Sequence, residues 1–244
     1  MKPSVTGLLS LWAIPRSRST AFFRMMVQRG DYLCINEPFC AIADTGTVDL
    51  PNGNGGIVTV TTKEQVVEHI LNLSRKKRVF FKETTDHDHS DLLETGIFGS
   101  QTQTAVMVRT PEEVIRSHLR MNPKADQASM GFGYLLNLMK GIHLSGQAYH
   151  MIKSEDLIQN PSETVQSYCT FANIPFLPEA LKWNSEDRQE WSRTKDWHSD
   201  VAKSTGIQQI SNKDPLPLKL QDIFEIYLKP TQRDYEALLE FNSK

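Results

Sequence analysis

The chain has 244 residues, with 27 Lys and Arg against 29 Asp and Glu and a formal net charge of −2. That balance excludes a general nucleic-acid binder while leaving room for a local basic cleft, and the length suffices for a full core in one fair-sized domain, expected over 1–244. Cys34, Cys40 and Cys169 are three thiols without metal-ligand spacing and read as reduced cysteines of a cytoplasmic protein, and no apolar stretch reaches transmembrane length.

The first element organises the rest. Leu8–Ile14 is an apolar run of the length of a buried parallel strand. A signal peptide is the competing reading. It is disfavoured by the single charge ahead of Val5–Ile14, by Gly7 and Ser10 within that stretch, and by the lack of a small-residue cleavage site before the arginines. Pro15-Arg16-Ser17-Arg18-Ser19-Thr20 follows, then a helical pattern from Ala21 to Gln28 that stops at Gly30. Strand, basic hydroxyl-rich turn and helix form the geometry that sets backbone N–H groups and a helix N-terminus against a phosphate. Arg16 and Arg18 add fixed charge, and Ser17, Ser19 and Thr20 add donors. The Gly-x-x-x-x-Gly-Lys-[Ser/Thr] pattern of an ATP loop is absent, with no glycine between Gly7 and Gly30. A solvated basic turn is the alternative.

Asp31–Asn36 reads as a second strand ended by Glu37-Pro38-Phe39. Residues 43–56 are expected to be loop, either a lid over the site or plain surface. Thr62 with Gln65, or Thr61 with Glu64, signals a helix carrying Val66, Val67, Ile70 and Leu71 on one face. Arg78–Glu83 is a strand, Asp86-His87-Asp88-His89 a polar cluster, and Leu92-Leu93 a short helix. Thr104–Arg109 is a strand, and Thr110-Pro111-Glu112-Glu113 reads as a capping box opening the helix with Ser117 and His118. A long helix is expected from about Gln127 to Leu144. A fifth strand runs over Ala148–Lys153, and Asn160-Pro161 opens another helix. Trp183, Trp191 and Trp197 sit in a polar stretch. Two helices, 218–228 and 231–241, are expected on either side of Pro230.

Alternation of strands and helices argues an α/β fold with a mostly parallel sheet of five strands flanked by helices, and a helical C-terminal part. Ligands bind such sheets beyond the carboxyl ends of the strands. The 15–20 turn, Lys82–His89 and Arg109 therefore converge on one edge.

With those residues in place the chain resembles the sulfotransferases that use 3′-phosphoadenosine 5′-phosphosulfate (PAPS), in particular the bacterial branch. Pro15–Thr20 resembles the loop Pro-[Lys/Arg]-Ser-Gly-[Thr/Ser]-Thr for the 5′-phosphosulfate, with Arg18 where glycine is usual. Arg109 followed by Ser117 resembles the 3′-phosphate site. Ile152-Lys153-Ser154-Glu155-Asp156-Leu157 with Asn160-Pro161 is similar to a Tyr-Glu-Asp-Leu…Asn-Pro segment, Ser154 replacing the tyrosine. Lys203-Ser204-Thr205-Gly206, after Trp197-His198, is the best match to the C-terminal basic-glycine motif. The resemblance spans residues 8–175. It implies a P-loop nucleotide-kinase-like fold, PAPS as sulfuryl donor, PAP as product, and a small-molecule hydroxyl as acceptor, without nucleic acid or membrane.

The same resemblance assigns roles. Arg16, Ser17, Arg18, Ser19 and Thr20 bind the 5′-phosphosulfate; Arg109 and Ser117 bind the 3′-phosphate. Deprotonating an acceptor hydroxyl near neutral pH calls for a histidine. His87 is the first choice and His89 the second, with a solvated loop and a divalent-metal site as the other readings of that cluster. Nothing beyond the His-x-His spacing points to a metal, and none is expected. Lys82 at its strand end is either the holder of a sulfuryl oxygen or a surface lysine. Glu37 either lines the acceptor pocket or caps a turn, and His118 and His150 read as structural. A small-molecule kinase and a non-catalytic nucleotide-binding protein remain the alternatives.

Overall fold

The structure, a computed structural model, describes residues 7–185, 203–208 and 215–241. Trp191, Trp197 and His198 lie outside the described residues. At the centre is β1 (Leu8–Ala13), buried at every position. Alternation sends Leu9, Leu11 and Ala13 into one apolar cluster and Leu8 and Trp12 into the other. A strand covered on both faces reads as an unbroken apolar run, which is why it is visible in the sequence. Ser10, the polar residue of that run, donates to Thr104 Oγ1 at 3.2 Å.

β1 pairs in parallel with β5 (Val79–Thr84) on one side and β6 (Thr102–Val108) on the other. β2 (Leu33–Asn36) extends the sheet beyond β5, and β7 (Tyr149–Lys153) beyond β6. The order is β2-β5-β1-β6-β7, all parallel, so the five expected strands form the expected sheet. Every strand therefore delivers its carboxyl end to the same edge.

Four local expectations are corrected. The 43–56 stretch is loop only at 46–47 and 52–56. α1 (Ser19–Arg29) and β2 are followed by α2 (Pro38–Thr45) and an antiparallel hairpin of β3 (Val48–Pro51) and β4 (Ile57–Val60). Four-residue strands give too few alternations for a period to be read. Asn52 Oδ1 accepts from the Asn54 and Gly56 N–H groups at 2.9 and 3.0 Å and so folds the Gly-rich turn. α3 (Lys63–Ser74) does start as read, Thr62 accepting from the Gln65 N–H at 3.3 Å.

The capping box at Thr110 does not form. α4 (Pro111–Met121) begins there, but Thr110 makes no side-chain cap, and its N–H donates to Glu155 Oε1 at 3.1 Å. The helix expected from Gln127 is broken. A 3-10 turn, Ala128–Met130, ends at Gly131 (φ 83), and α5 (Phe132–Leu144) starts anew. A Cβ on Gly131 would meet Pro15 Cδ at 2.4 Å and the Thr85 carbonyl oxygen at 2.7 Å, so only glycine brings this junction against both loops.

α6 (Ser154–Gln159) and α7 (Pro161–Phe171) follow β7. The two helices expected around Pro230 are one, α8 (Gln221–Glu240). Phe224 on one side of Pro230 and Tyr235 and Leu238 on the other are buried in the same cluster, and that packing carries the helix across the missing N–H. No helix among the described residues is long and apolar enough to cross a membrane.

Candidate active site

The loop between β1 and α1 runs through two non-glycine residues in the left-handed region, Arg16 (φ 63) and Arg18 (φ 68). Arg18 thus takes the conformation that glycine would supply. It gives α1 no side-chain cap, and the first turn carries no acidic residue, so this helix N-terminus faces the edge of the sheet with its N–H groups and positive dipole end uncompensated from within α1. Ser17 is fully buried, and its Oγ has no hydrogen-bond partner among the described residues. Ser19 is also buried, while Thr20 is half-buried at the first turn.

Guanidinium groups gather around the loop. Arg109 donates through Nη1 to the Arg16 carbonyl at 2.8 Å and through Nη2 to Glu113 Oε2 at 2.6 Å. Arg16 Nε donates to Ser117 Oγ at 2.9 Å, so two predicted phosphate residues from separate motifs touch. Burial, then the Arg18 charge, push Arg109 down to about 10, against the pull of Glu113 and Glu155. Burial likewise lowers Arg18, with Glu113 and Glu155 opposing. Like charges are thus held in one partly desolvated place, the condition an anion relieves. The β7–α6 junction braces the loop from behind, Ser154 Oγ donating to the Ser17 carbonyl.

The other half of the edge is acidic. Glu83, at the end of β5, is wholly buried and accepts from the Phe39 and Cys40 N–H groups of α2 at 2.6 and 3.3 Å and from the Thr84 N–H at 2.9 Å. Burial, then the Glu37 charge, push Glu83 up to about 8. Lys82 is 1 % exposed and its ammonium is bonded to Glu37. His87 is half-exposed, and its Nε2 pairs with Asp44 Oδ1 of α2 at 2.8 Å. His89 is buried against Trp12 and Phe39, and its Nε2–H donates to the Thr84 carbonyl at 3.1 Å. Burial holds His89 down at about 4. His118, beside Ser117, is likewise buried and held at about 4, facing the charges of Asp86 and Arg16.

The structure therefore brings together Arg16, Ser17, Arg18, Arg109 and Ser117. It sets Lys82, His87 and His89 on the neighbouring β5 end. Lys203–Gly206 packs on Trp183, which donates from its backbone N–H to the Thr205 carbonyl and from Nε1 to Ser204 Oγ, each at 3.2 Å. Sequence reasoning missed Asp44 as part of this edge, gave Glu83, Ser154 and Glu155 no role of their own, and read Glu113 as a cap residue when it grips Arg109. Spacing to Arg109, four residues on one helix face, was the available signal for Glu113.

A parallel sheet of this order, with a basic loop between its first strand and first helix, is a P-loop-like arrangement. The family model for the sulfotransferase domain matches residues 8–230, and the chain belongs to that family. The sulfotransferase domain of the Synechococcus PCC 7002 olefin synthase superposes with a TM-score of 0.60 at 16% identity, covering 90% of this chain and 94% of that one. The sulfotransferase domain of the curacin biosynthetic pathway gives 0.55 at 17% identity, covering 90% and 96%. A mouse sulfotransferase complexed with PAP gives 0.51 at 11% identity, covering 98% and 90%. These superpositions establish a shared fold. Two branched-chain-amino-acid aminotransferase-like proteins of Arabidopsis thaliana are each 25% identical, over 89% and 88% of this chain but 39% of their own length. The chain thus spans well under half of those relatives.

Proposed function

We propose that the protein transfers a sulfuryl group from PAPS to a hydroxyl of a small-molecule acceptor, with residues 1–244 acting as one catalytic domain. The observation that carries this reading is the buried Ser17 Oγ, without a partner among the described residues, in the Arg16–Arg18 loop that Arg109 holds at an uncapped helix N-terminus. That donor set fits a terminal phosphate-type group. PAPS, when bound, supplies an activated sulfuryl group and leaves as PAP.

In this reading Arg16 and the hydroxyls of Ser17, Ser19 and Thr20 hold the 5′-phosphosulfate, with Arg18 adding charge beside them. Arg109, oriented by Glu113, grips the 3′-phosphate together with Ser117. Asp44 orients the His87 imidazole, and when Nε2 carries its hydrogen the other ring nitrogen keeps the lone pair that accepts the acceptor's hydroxyl proton. Lys82 enters with its ammonium on Glu37, so contact with a sulfuryl oxygen requires it to exchange that carboxylate for the incoming group. Charge on the leaving phosphate is met by the fixed guanidinium groups, as an in-line transfer needs.

Calorimetric titration with PAP, ATP and AMP tests the reading. The expected result is PAP binding that needs the 3′-phosphate and weakens about 100-fold in Arg109→Ala, a charge-assisted contact being lost. Preference for ATP, or no binding of any of the three, overturns it.

A further inference from the structure

The sequence shows one pair of metal-type ligands, His87 and His89, and the fold supplies a further ligand from another element. Packing of α2 on β5 brings the Cys40 thiol over the β5 end, 3.2 Å from Asp86 Oδ1. Cys40 Sγ, an Asp86 carboxylate oxygen and a ring nitrogen of His87 all lie within 4.8 Å of one another. We propose that Cys40, Asp86 and His87 bind a thiophilic divalent cation of the zinc class, and that the bound cation switches off transfer by occupying the lone pair of His87.

Ligand bonds of about 2.0–2.3 Å put the corners of a tetrahedral zinc site roughly 3.5 Å apart, so small side-chain shifts close this triad. The second sphere is in place. Asp44 pairs with His87 Nε2 at 2.8 Å, which fixes the ring and leaves the other nitrogen for a metal, and Thr84 Oγ1 donates to Asp86 Oδ1 at 2.7 Å. Cys40, Glu83 and His89 form a second, wholly buried set around the same sulfur. The two sets share Cys40 and so take one cation, and the outer set is the reachable one because Asp86 and His87 are partly exposed.

Ligand chemistry selects the ion. A thiolate with one imidazole and one carboxylate suits zinc and its neighbours and is a poor site for magnesium or calcium, which take oxygen ligands. Three protein ligands leave a fourth position for water, and the Cys40 proton passes to solvent as the metal binds. The site itself stands on geometry alone. Its inhibitory effect rests on the reading above, with His87 as base.

Cobalt(II) is the probe, because thiolate coordination gives it an intense ligand-to-metal absorption band. Titration of the full chain with cobalt should produce that band at one equivalent, and zinc should abolish it by competition. Cys40→Ser should lose the band, and Asp86→Asn should weaken cobalt binding at least tenfold. In transfer assays, stoichiometric zinc should inhibit the wild type, a chelator should restore it, and Cys40→Ser should stay active while needing at least tenfold more zinc for inhibition. Absence of the band in the folded wild type overturns the site, as does a band that survives Cys40→Ser. If Cys40→Ser does not fold, unchanged cobalt affinity in Asp86→Asn overturns it equally. A cobalt site at Cys40 with transfer indifferent to zinc overturns the inhibition. A cobalt site in a protein that ignores PAP overturns the sulfuryl-transfer reading and the inhibition with it, while the metal site stands.

Discussion

Helices α1 and α2 both leave the carboxyl edge of the sheet through a non-glycine residue in the left-handed conformation, Arg18 at φ 68 and Glu37 at φ 49. From there they diverge. The N-terminus of α1 is surrounded by guanidinium groups, and a buried hydroxyl beside it has no partner among the described residues. That of α2 is filled from within the fold by the Glu83 carboxyl, which takes the Phe39 and Cys40 N–H groups. The same helix-end N–H groups serve an external anion in one case and an internal carboxyl in the other. An open terminus can be a site, whereas an occupied one ties the helix to the strand beside it. The arginines around α1 are the counterpart of the carboxylates around α2, and in the proposed reaction the substrate joins the two halves.

Four substitutions break or sharpen this contrast, taken from the largest effect down. His87→Ala should cut turnover by about 10²–10⁴-fold, the range of a lost general base, while calorimetry finds PAP binding unchanged. Full activity there would move the base elsewhere on the acidic half. Glu83→Ala empties the α2 terminus and leaves buried N–H groups without acceptors. It should cost about 3 kcal/mol in urea denaturation, and Glu83→Gln, which keeps an acceptor oxygen, should cost much less.

His118→Gln addresses the seam between the halves. The His118 pKa in the folded protein, about 4, lies below its ordinary 6.5, so between these values the unfolded chain binds the proton and the folded one does not. Its neutral form is accommodated in full above pH 6.5, and stability is lost as pH falls toward 4, by up to about 3 kcal/mol. The glutamine variant should show a flatter acid limb in thermal unfolding followed against pH. Smallest in stability is Arg18→Gly. Relief of the left-handed conformation should stabilise the fold by about 1 kcal/mol, while loss of the charge weakens PAP binding. A variant that gained both stability and affinity would show that Arg18 takes no part in holding the anion.

The basic half was legible in the sequence because its signals are local. β1 is an unbroken apolar run, Arg16–Thr20 follows it directly, and Arg109 to Ser117 is one strand end and one helix. The acidic half was half hidden. His87 and His89 stood out as a cluster, but Asp44 and Cys40 belong to a helix read as strand end and loop, and each reaches β5 across more than 40 residues. Glu83 looked like an ordinary polar end of a strand, because no local pattern records that a carboxyl will serve the helix beside it. Glu113 shows the converse: its spacing from Thr110 satisfied a capping rule, and a stronger partner, Arg109, took it.

The position of β1 has a consequence for the order in which the protein comes into being. This strand precedes every other strand of the sheet in the chain, yet it lies in the middle of the sheet, with Leu8 opposite Val79 on one side and Thr102 on the other. Neither flank can be filled until those later strands have been synthesised. The phosphate-type loop hangs from its end, and Arg109 and Ser154, which hold that loop, are made later still. The nascent chain must therefore keep this apolar strand from other partners until β5 and β6 have been made. Long-range parallel pairing of this kind is slow and exposes the chain to aggregation meanwhile.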